Sequence, residues 1–163
     1  MSIFIGLGAN LPSSAGGPAQ TLVAALGSLE PEVRVCSVSA FYETSPWPNP
    51  DDPPFTNAVA RVETLLSAAA LMTFLHGRET AVGRKRSTPN GPRVLDLDII
   101  DYKAQVNDGW PILPHPRLSD RAFVLIPLME IAPEWRHPLT GSTVQELIGL
   151  LPLELRAIRK LTP

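Results

Sequence analysis

The alternation of apolar and polar residues over the first hundred positions predicts four β-strands. The four segments are short and rich in β-branched or aromatic residues, a composition that favours strands. In the third segment Phe55, Asn57 and Val59 share one face and Ala58 and Ala60 the other, because successive strand side chains point to opposite sides. The predicted strands cover residues 2–8, 32–43, 55–64 and 94–101.

A helical period separates these strands at two places. Pro18 suits the first turn of a helix, and apolar residues follow it at the spacing i, i+3, i+4 and i+7: Leu22, Ala25, Leu26 and Leu29. A second helix is predicted between an N-cap at Ser67 and a terminating Gly83. Its inward side chains are Leu71, Phe74, Leu75 and Val82.

The element order is therefore strand, helix, strand, strand, helix, strand. This βαββαβ order is typical of the ferredoxin-like α+β fold, an antiparallel sheet with helices packed on it. A loop rich in Pro, His and Arg follows, then an apolar segment at 123–129 and a last amphipathic helix near 144–151. With no repeat or linker in 163 residues, we expect one domain over residues 1–163.

Charge narrows the classes of ligand. The formal net charge of −2 gives no overall attraction to nucleic acid or to an anionic membrane, and neither is expected as a partner. No signal peptide or long apolar run is visible, so a cytoplasmic location is expected. Between Glu79 and Asp96 every charged residue is basic, which indicates a small polyanion as ligand or, alternatively, a solvated basic loop. The basic residues are Arg84, Lys85, Arg86 and Arg93.

Two carboxylates follow this basic stretch in the segment Gly-Pro-Arg-Val-Leu-Asp-Leu-Asp-Ile-Ile. On a strand Asp96 and Asp98 lie on one face, with their Cα atoms roughly 7 Å apart. Like charges on one face repel, and a divalent cation that binds carboxylate and phosphate oxygens offsets the repulsion. Two such carboxylates can also bridge a pair of ions. The alternative is an ordinary strand whose polar residues face water.

The chain resembles the 6-hydroxymethyl-7,8-dihydropterin pyrophosphokinases in six segments that occur in the family's order. The Asp-Leu-Asp segment at 91–100 is the most specific of them. The other five begin at Gly6, Phe41, Phe55, Leu113 and Arg121, and read Gly-Leu-Gly-Ala-Asn-Leu, Phe-Tyr-Glu-Thr-Ser-Pro, Phe-Thr-Asn-Ala, Leu-Pro-His-Pro-Arg and Arg-Ala-Phe-Val-Leu-Ile-Pro-Leu.

The resemblance implies a ferredoxin-like monomer whose small-molecule substrates are ATP and the pterin. Members transfer the β,γ-pyrophosphoryl group of ATP to the pterin hydroxymethyl oxygen, release AMP and use two Mg²⁺ ions. By resemblance Asp96 and Asp98 hold the ions, and Arg84 and Arg93 act in catalysis. The residues implied in ATP binding are Glu79, Arg84, Arg86, Arg93, Ile99, His115 and Arg121.

The pterin side of the site also follows from the resemblance. Phe55 and Phe123 match the two aromatic residues that sandwich the pterin ring, and Asn57 matches the amide that pairs with its edge. Thr44, Pro46 and Trp47 match the remaining pocket wall.

Two other functions stay open from the residues alone. One is a different metal-dependent phosphoryl or nucleotidyl transferase that ignores pterin, and the other is a binding module without turnover.

Overall fold

The computed structural model describes residues 1–85 and 89–162, which form an antiparallel sheet with helices on both faces. The elements of the predicted βαββαβ unit come first in the chain, and further helices and a short strand follow them. In chain order they are β1 (Ile3–Ala9), α1 (Pro18–Gly27), β2 (Arg34–Val38), β3 (Tyr42–Thr44), β4 (Phe55–Glu63), α2 (Ala68–Ala81), β5 (Asp96–Tyr102), α3 (Ala122–Ile131), α4 (Val144–Leu150), α5 (Leu153–Arg156) and β6 (Arg159–Lys160).

The sheet has the strand arrangement of a ferredoxin-like fold. β1 lies between β5 and β4, and both β2 and β3 pair with β4 on its other side. Every pairing is antiparallel, and β6 adds to the outer edge of β3. The predicted fold class is therefore confirmed.

The first face of the sheet is covered by α1 and α2, as the periodicity predicted. Ser67 is the N-cap of α2, since its Oγ accepts from Ala70 N at 3.2 Å, and Gly83 follows the helix with a φ of 93°. This core joins the inward residues of both helices to one set of alternating strand residues. It includes Leu22, Ala25, Leu29, Leu71, Leu75, Ile5, Leu7, Ala58, Ala60, Val62, Leu95, Leu97 and Ile99.

The predicted single strand over 32–43 is wrong, because the structure has two strands there. The register against β4 shifts between Val35 and Ser37, which marks an irregularity within β2. Ser39 N still donates to Val59 O at 2.9 Å, but Val59 N donates to Ser39 Oγ at 3.1 Å instead of to a backbone oxygen. A hydroxyl that bonds to the backbone in this way competes with regular pairing, and β3 begins three residues later.

The second face of the sheet is covered by the segment that follows β5. The apolar run at 123–129 is helical and belongs to α3, which packs on β4 and against α4. The predicted last helix is α4, begun by a capping box in which Thr143 Oγ1 accepts from Glu146 N and Glu146 Oε2 accepts from Thr143 N. Among the residues described, no helix is long and apolar enough to cross a bilayer.

Candidate active site

The sheet face beneath α3 changes from apolar to polar along its central strands. Phe4 in β1, Val59 in β4 and Ile100 in β5 belong to the core that α3 covers. Beyond them the residues of the same face are small, polar or aromatic. These residues, which we call the polar end of the sheet, are Gly6 and Gly8 in β1, Asn57 and Phe55 in β4, and Asp98 and Asp96 in β5.

Strand register brings this set together although it is scattered over ninety residues of sequence. Gly8 pairs with Asn57 on one side and with Asp96 on the other, and Gly6 pairs with Asp98. The predicted faces are confirmed, since Asp96 and Asp98 lie opposite the face that buries Leu97. The aromatic ring of Phe55 and both carboxylates therefore border the same stretch of β1.

The floor of the polar end has no side chains. A Cβ added at Gly8 would lie 3.0 Å from Asn57 Oδ1 and 4.0 Å from both Phe55 Cδ1 and Asp96 Cβ. The absent side chain thus leaves a slot between the amide, the ring and the first carboxylate. Such a slot suits a flat ligand that lies close to the backbone.

Asp96 lies against two arginines of the connection between α2 and β5. Arg84 Nη1 lies 2.6 Å from its Oδ1 and also donates to Leu95 O at 3.2 Å. Arg93 Nε lies 3.4 Å from its Oδ2. The two arginines come from opposite ends of the basic stretch, and both of these ends therefore lie at the polar end of the sheet.

Glu79 of α2 forms an ion pair that fixes the position of Arg84. Glu79 is only 2% exposed, and its Oε1 lies 2.7 Å from Arg84 Nη1 and accepts from Leu97 N at 2.8 Å. A carboxylate buried in this way is stabilised by the paired guanidinium and the strand amide. The structure therefore places Glu79 as an anchor for Arg84, and its predicted contact with nucleotide stays a prediction.

Asp98 faces a second set of cationic groups. His115 Nε2 lies 3.6 Å from Asp98 Oδ2, while its Nδ1 accepts from Arg117 N at 3.1 Å. The proton of a neutral imidazole is therefore assigned to Nε2, on the side of Asp98. Burial by itself raises the pKa of Asp98, but the bond to His115 and the charges of Arg121 and Arg84 outweigh it and hold the pKa below its usual value.

Arg121 and Phe123 reach the site from the start of α3. The Arg121 guanidinium carbon lies 5.5 Å from the centroid of the Phe123 ring. Burial lowers the pKa of Arg121, and repulsion from Arg117 adds to this, while Asp98 and Asp96 raise it. The arginine therefore joins the carboxylates to an aromatic ring that comes from a different element.

A similar pair lies across the slot. The guanidinium carbon of Arg93 is 5.2 Å from the centroid of the Phe55 ring, a distance that allows cation–π attraction. Its Nε is buried, and within the described residues no acceptor meets hydrogen-bond geometry, although Asp96 Oδ2 is within ion-pair distance. This unsatisfied N–H fits an added anionic oxygen, such as one from phosphate.

The predicted pterin-side residues are brought together in part. Asn57 is 6% exposed and donates from Nδ2 to Thr44 Oγ1 at 2.9 Å, and the neighbouring Phe55 pairs with Thr44 across β3 and β4. Pro46 is half-buried in the following loop. Trp47 is 64% exposed, so its ring lies at the rim and not in the slot.

One predicted nucleotide-side residue, Ile99, does not face the polar end. The Ile99 side chain is buried in the core beneath α1 and α2, on the opposite face of β5. Its predicted contact with ATP stays a prediction. Arg86 lies outside the described residues.

The carboxylates fit magnesium by the chemistry of their donors. Mg²⁺ is bound by one or two carboxylates and keeps its other positions for water and substrate phosphate. Across residues 1–85 and 89–162 no cluster of three or more acidic, His or Cys side chains forms a closed metal site. Asp96 and Asp98 thus match an ion that completes its coordination with phosphate, not a structural metal.

The functional residues that the sequence pattern does not reveal include the glycines of β1. Gly6 and Gly8 belong to one of the family-like segments, and the structure places them at the floor of the site. The signal was present, since glycine weakens a strand and two at positions i and i+2 leave one face bare. Asn10, which follows them, was likewise given no role and is 2% exposed.

Comparison with known proteins gives a consistent result over most of the chain. Residues 4–133 match the family model described as 7,8-dihydro-6-hydroxymethylpterin-pyrophosphokinase. A 2-amino-4-hydroxy-6-hydroxymethyldihydropteridine pyrophosphokinase of Methylorubrum extorquens is 40% identical over 91% of this chain and 92% of its own length. The protein of the same name from Pseudomonas aeruginosa is 38% identical over 93% of both chains.

Longer relatives contain a similar unit as one part. The folic acid synthesis protein fol1 of Schizosaccharomyces pombe is 37% identical over 82% of this chain, which spans only 18% of fol1. Among solved structures, wild-type HPPK-DHPS of Plasmodium falciparum with pteroate matches with a TM-score of 0.67. That match covers 90% of this chain and 43% of the other at 14% identity, and it supports the fold.

Proposed function

Because the chain belongs to the 7,8-dihydro-6-hydroxymethylpterin-pyrophosphokinase family and transfers pyrophosphate from ATP to hydroxymethyldihydropterin in folate synthesis, we propose that the polar end of the sheet is where this transfer occurs. The observation that carries the proposal is the strand register. It sets Phe55 and Asn57 on one side of Gly8 and Asp96 on the other. The slot for a flat ring and the carboxylates for a metal–phosphate group are thereby neighbours.

Asp96 and Asp98 would hold two Mg²⁺ ions. When bound, the ions would neutralise negative charge on the triphosphate. Support comes from the shared face of the two side chains and from the low pKa of Asp98, which keeps that carboxylate ionised. Arg84 and Arg93 lie 2.6 Å and 3.4 Å from the oxygens of Asp96, which places both guanidinium groups beside the proposed phosphate position.

The pterin hydroxymethyl oxygen attacks the β-phosphorus in line with the bond to the α-phosphate bridge. The new O–P bond forms as that bridge bond breaks, AMP leaves with the bridging oxygen, and the proton of the pterin hydroxyl is released to solvent. Arg84 and Arg93 would neutralise charge that develops on the leaving and transferred groups, as preorganised donors do in other phosphoryl transfers. His115 and Arg121 would bind phosphate beside Asp98, and Arg86, Glu79 and Ile99 complete the proposed nucleotide side.

The pterin ring would lie over Gly8, between Phe55 and Phe123. Asn57 has both a donor and an acceptor for the pterin edge, and its bond to Thr44 fixes which way the amide points. Pro46 and Trp47 would close the wall and rim of the pocket. We expect the protein to act as a cytoplasmic monomer, in a single domain over residues 1–163, with small molecules as its ligands and neither nucleic acid nor membrane as a partner.

An AMP-release assay tests the proposal. ATP, Mg²⁺ and 6-hydroxymethyl-7,8-dihydropterin are expected to give one AMP per pterin diphosphate, and omission of pterin or Mg²⁺ abolishes AMP. Asp96→Ala at saturating Mg²⁺ is expected to lower kcat by at least about 100-fold, since electrostatic stabilisation of the transition state is lost. Nucleotide turnover without pterin would indicate a different transferase, and binding of both ligands without AMP would indicate a module that has lost turnover.

A further inference from the structure

Asn10 is a buried amide that joins two loops of the active site. It follows β1 directly and is 2% exposed. Its Oδ1 accepts from Arg93 N at 2.7 Å and its Nδ2 donates to Pro53 O at 3.1 Å. Its own backbone N donates to Arg93 O at 3.1 Å, so the two residues are held together by bonds in both directions.

The two loops belong to opposite halves of the site. Pro53 lies two residues before Phe55, at the end of the proline-rich loop that also contains Pro46 and Trp47. Arg93 places its guanidinium near Asp96 and over the Phe55 ring. The Asn10 side chain therefore holds both the end of the proline-rich loop and the backbone of Arg93.

The chemistry of Asn10 matches this double role. One partner is an N–H and the other is a carbonyl oxygen, so the side chain must accept with one atom and donate with the other. An amide does both with a fixed geometry, whereas a carboxylate only accepts. Because the amide is buried, water does not replace either bond when one of the loops shifts.

We propose that Asn10 is a positioning residue that couples binding of the nucleotide to binding of the pterin. This rests on the proposed function of the polar end. Phosphate binding would fix the position of Arg93. Because Asn10 bonds to both Arg93 N and Pro53 O, the position of Pro53 would be restricted as well, and with it the wall of the pterin slot. Such coupling is reciprocal, because each ligand must strengthen binding of the other by the same factor.

The test compares pterin affinity with and without nucleotide in matched variants. The pterin dissociation constant is measured by calorimetry, alone and with Mg²⁺ and α,β-methylene-ATP, which cannot be cleaved at the reacting bond. In the native chain the nucleotide is expected to tighten pterin binding by about 10-fold or more, and in Asn10→Ala this factor falls to about 1–2. Each ligand alone is expected to bind Asn10→Ala within about threefold of the native affinity, which separates lost coupling from lost folding.

Asn10→Asp is the second variant, since it keeps the acceptor for Arg93 N and removes the donor to Pro53 O. It is expected to lose the coupling as well. Thr64→Ala is the control, because Thr64 also braces two loops, donating to Glu32 O at 2.7 Å and accepting from Leu66 N at 3.1 Å, but just past the far end of β4. It is expected to keep the native coupling factor.

Native coupling in both Asn10 variants would overturn the proposal, and so would a native chain in which the ligands bind independently. Equal weakening of pterin binding with and without nucleotide would also overturn it, because that is the result of a structural defect alone. Failure of the proposed function is seen separately, as the absence of pterin-dependent AMP from the native chain.

Discussion

At the scale of single residues the site depends on what Gly8 lacks. Its backbone lies between an amide and a carboxylate that belong to different strands, and the missing side chain leaves space there for a ligand ring. Arg84 and Arg93, which lie beside Asp96, supply positive charge next to that space. Small size at one position and charge at its neighbours thus create the slot together.

Gly8→Ala is expected to raise the KM for pterin by about 10-fold or more, with a smaller change in kcat. The new Cβ would lie 3.0 Å from Asn57 Oδ1, closer than such atoms normally approach, so the amide must turn away from its bond to Thr44. Steady-state kinetics with pterin as the varied substrate measure this change.

Gly27→Ala is the matched control, because a Cβ at that position of α1 would meet nothing within 4 Å. It is expected to keep native kinetics. A native pterin KM in Gly8→Ala would remove Gly8 from the floor of the pterin slot.

At the scale of elements the second face depends on how α3 is fixed to β3. Glu130 near the end of α3 accepts from Tyr42 Oη at 2.6 Å with one carboxylate oxygen and from Ala40 N at 3.1 Å with the other. Lys160 of β6 lies 3.5 Å from the same carboxylate. This contact fixes the end of the helix whose other end presents Phe123.

Tyr42→Phe is expected to lower the free energy of unfolding at pH 8 by about 1–3 kcal/mol, since a bond to a charged acceptor is lost. Burial raises the pKa of Tyr42 to about 12, with a smaller effect from Glu130. A folded-state pKa above the unfolded value of about 10 gives stability that is complete below pH 10 and is lost as the pH rises toward 12. Urea unfolding at pH 8, 10 and 11.5 measures both effects.

The alkaline loss of stability is therefore expected to be smaller in Tyr42→Phe than in the native chain. Tyr102→Phe controls for removal of a buried hydroxyl as such, because Tyr102 Oη donates at 2.6 Å to a backbone oxygen, that of Leu66, and not to a carboxylate. An identical decline between pH 10 and 11.5 in the native chain and Tyr42→Phe would mean that Tyr42 is not responsible for it.

At the scale of the whole molecule the pattern of the sequence predicts the first face of the sheet better than the second. The residues beneath α1 and α2 alternate clearly, α1 begins with Pro18, and α2 has a distinct N-cap in Ser67 and a terminating Gly83. In contrast, α3 is apolar on nearly every side and contains Pro127, so its sequence has no period that distinguishes a helix from a strand. The break at Ser39 depends on a side-chain bond that no periodicity reveals.

The candidate site likewise has features that the sequence predicts and features that it does not. The shared face of Asp96 and Asp98 follows from strand geometry alone, and the structure bears it out. The position of Gly8 between Asn57 and Asp96 depends on register, which is set by pairing between segments far apart in sequence. The role of Asn10 required the position of Pro53, at the end of a loop whose course the sequence does not specify.

We propose that the two carboxylates of β5 hold metal ions for the transfer reaction, and the number of bound Mn²⁺ ions measures this binding. Electron paramagnetic resonance of the native chain with α,β-methylene-ATP and pterin is expected to give two Mn²⁺ per chain. Asp98→Asn is expected to bind at most one, while Glu154→Gln, which changes an exposed carboxylate in α5, keeps two. Two ions bound to Asp98→Asn with native affinity would contradict the account.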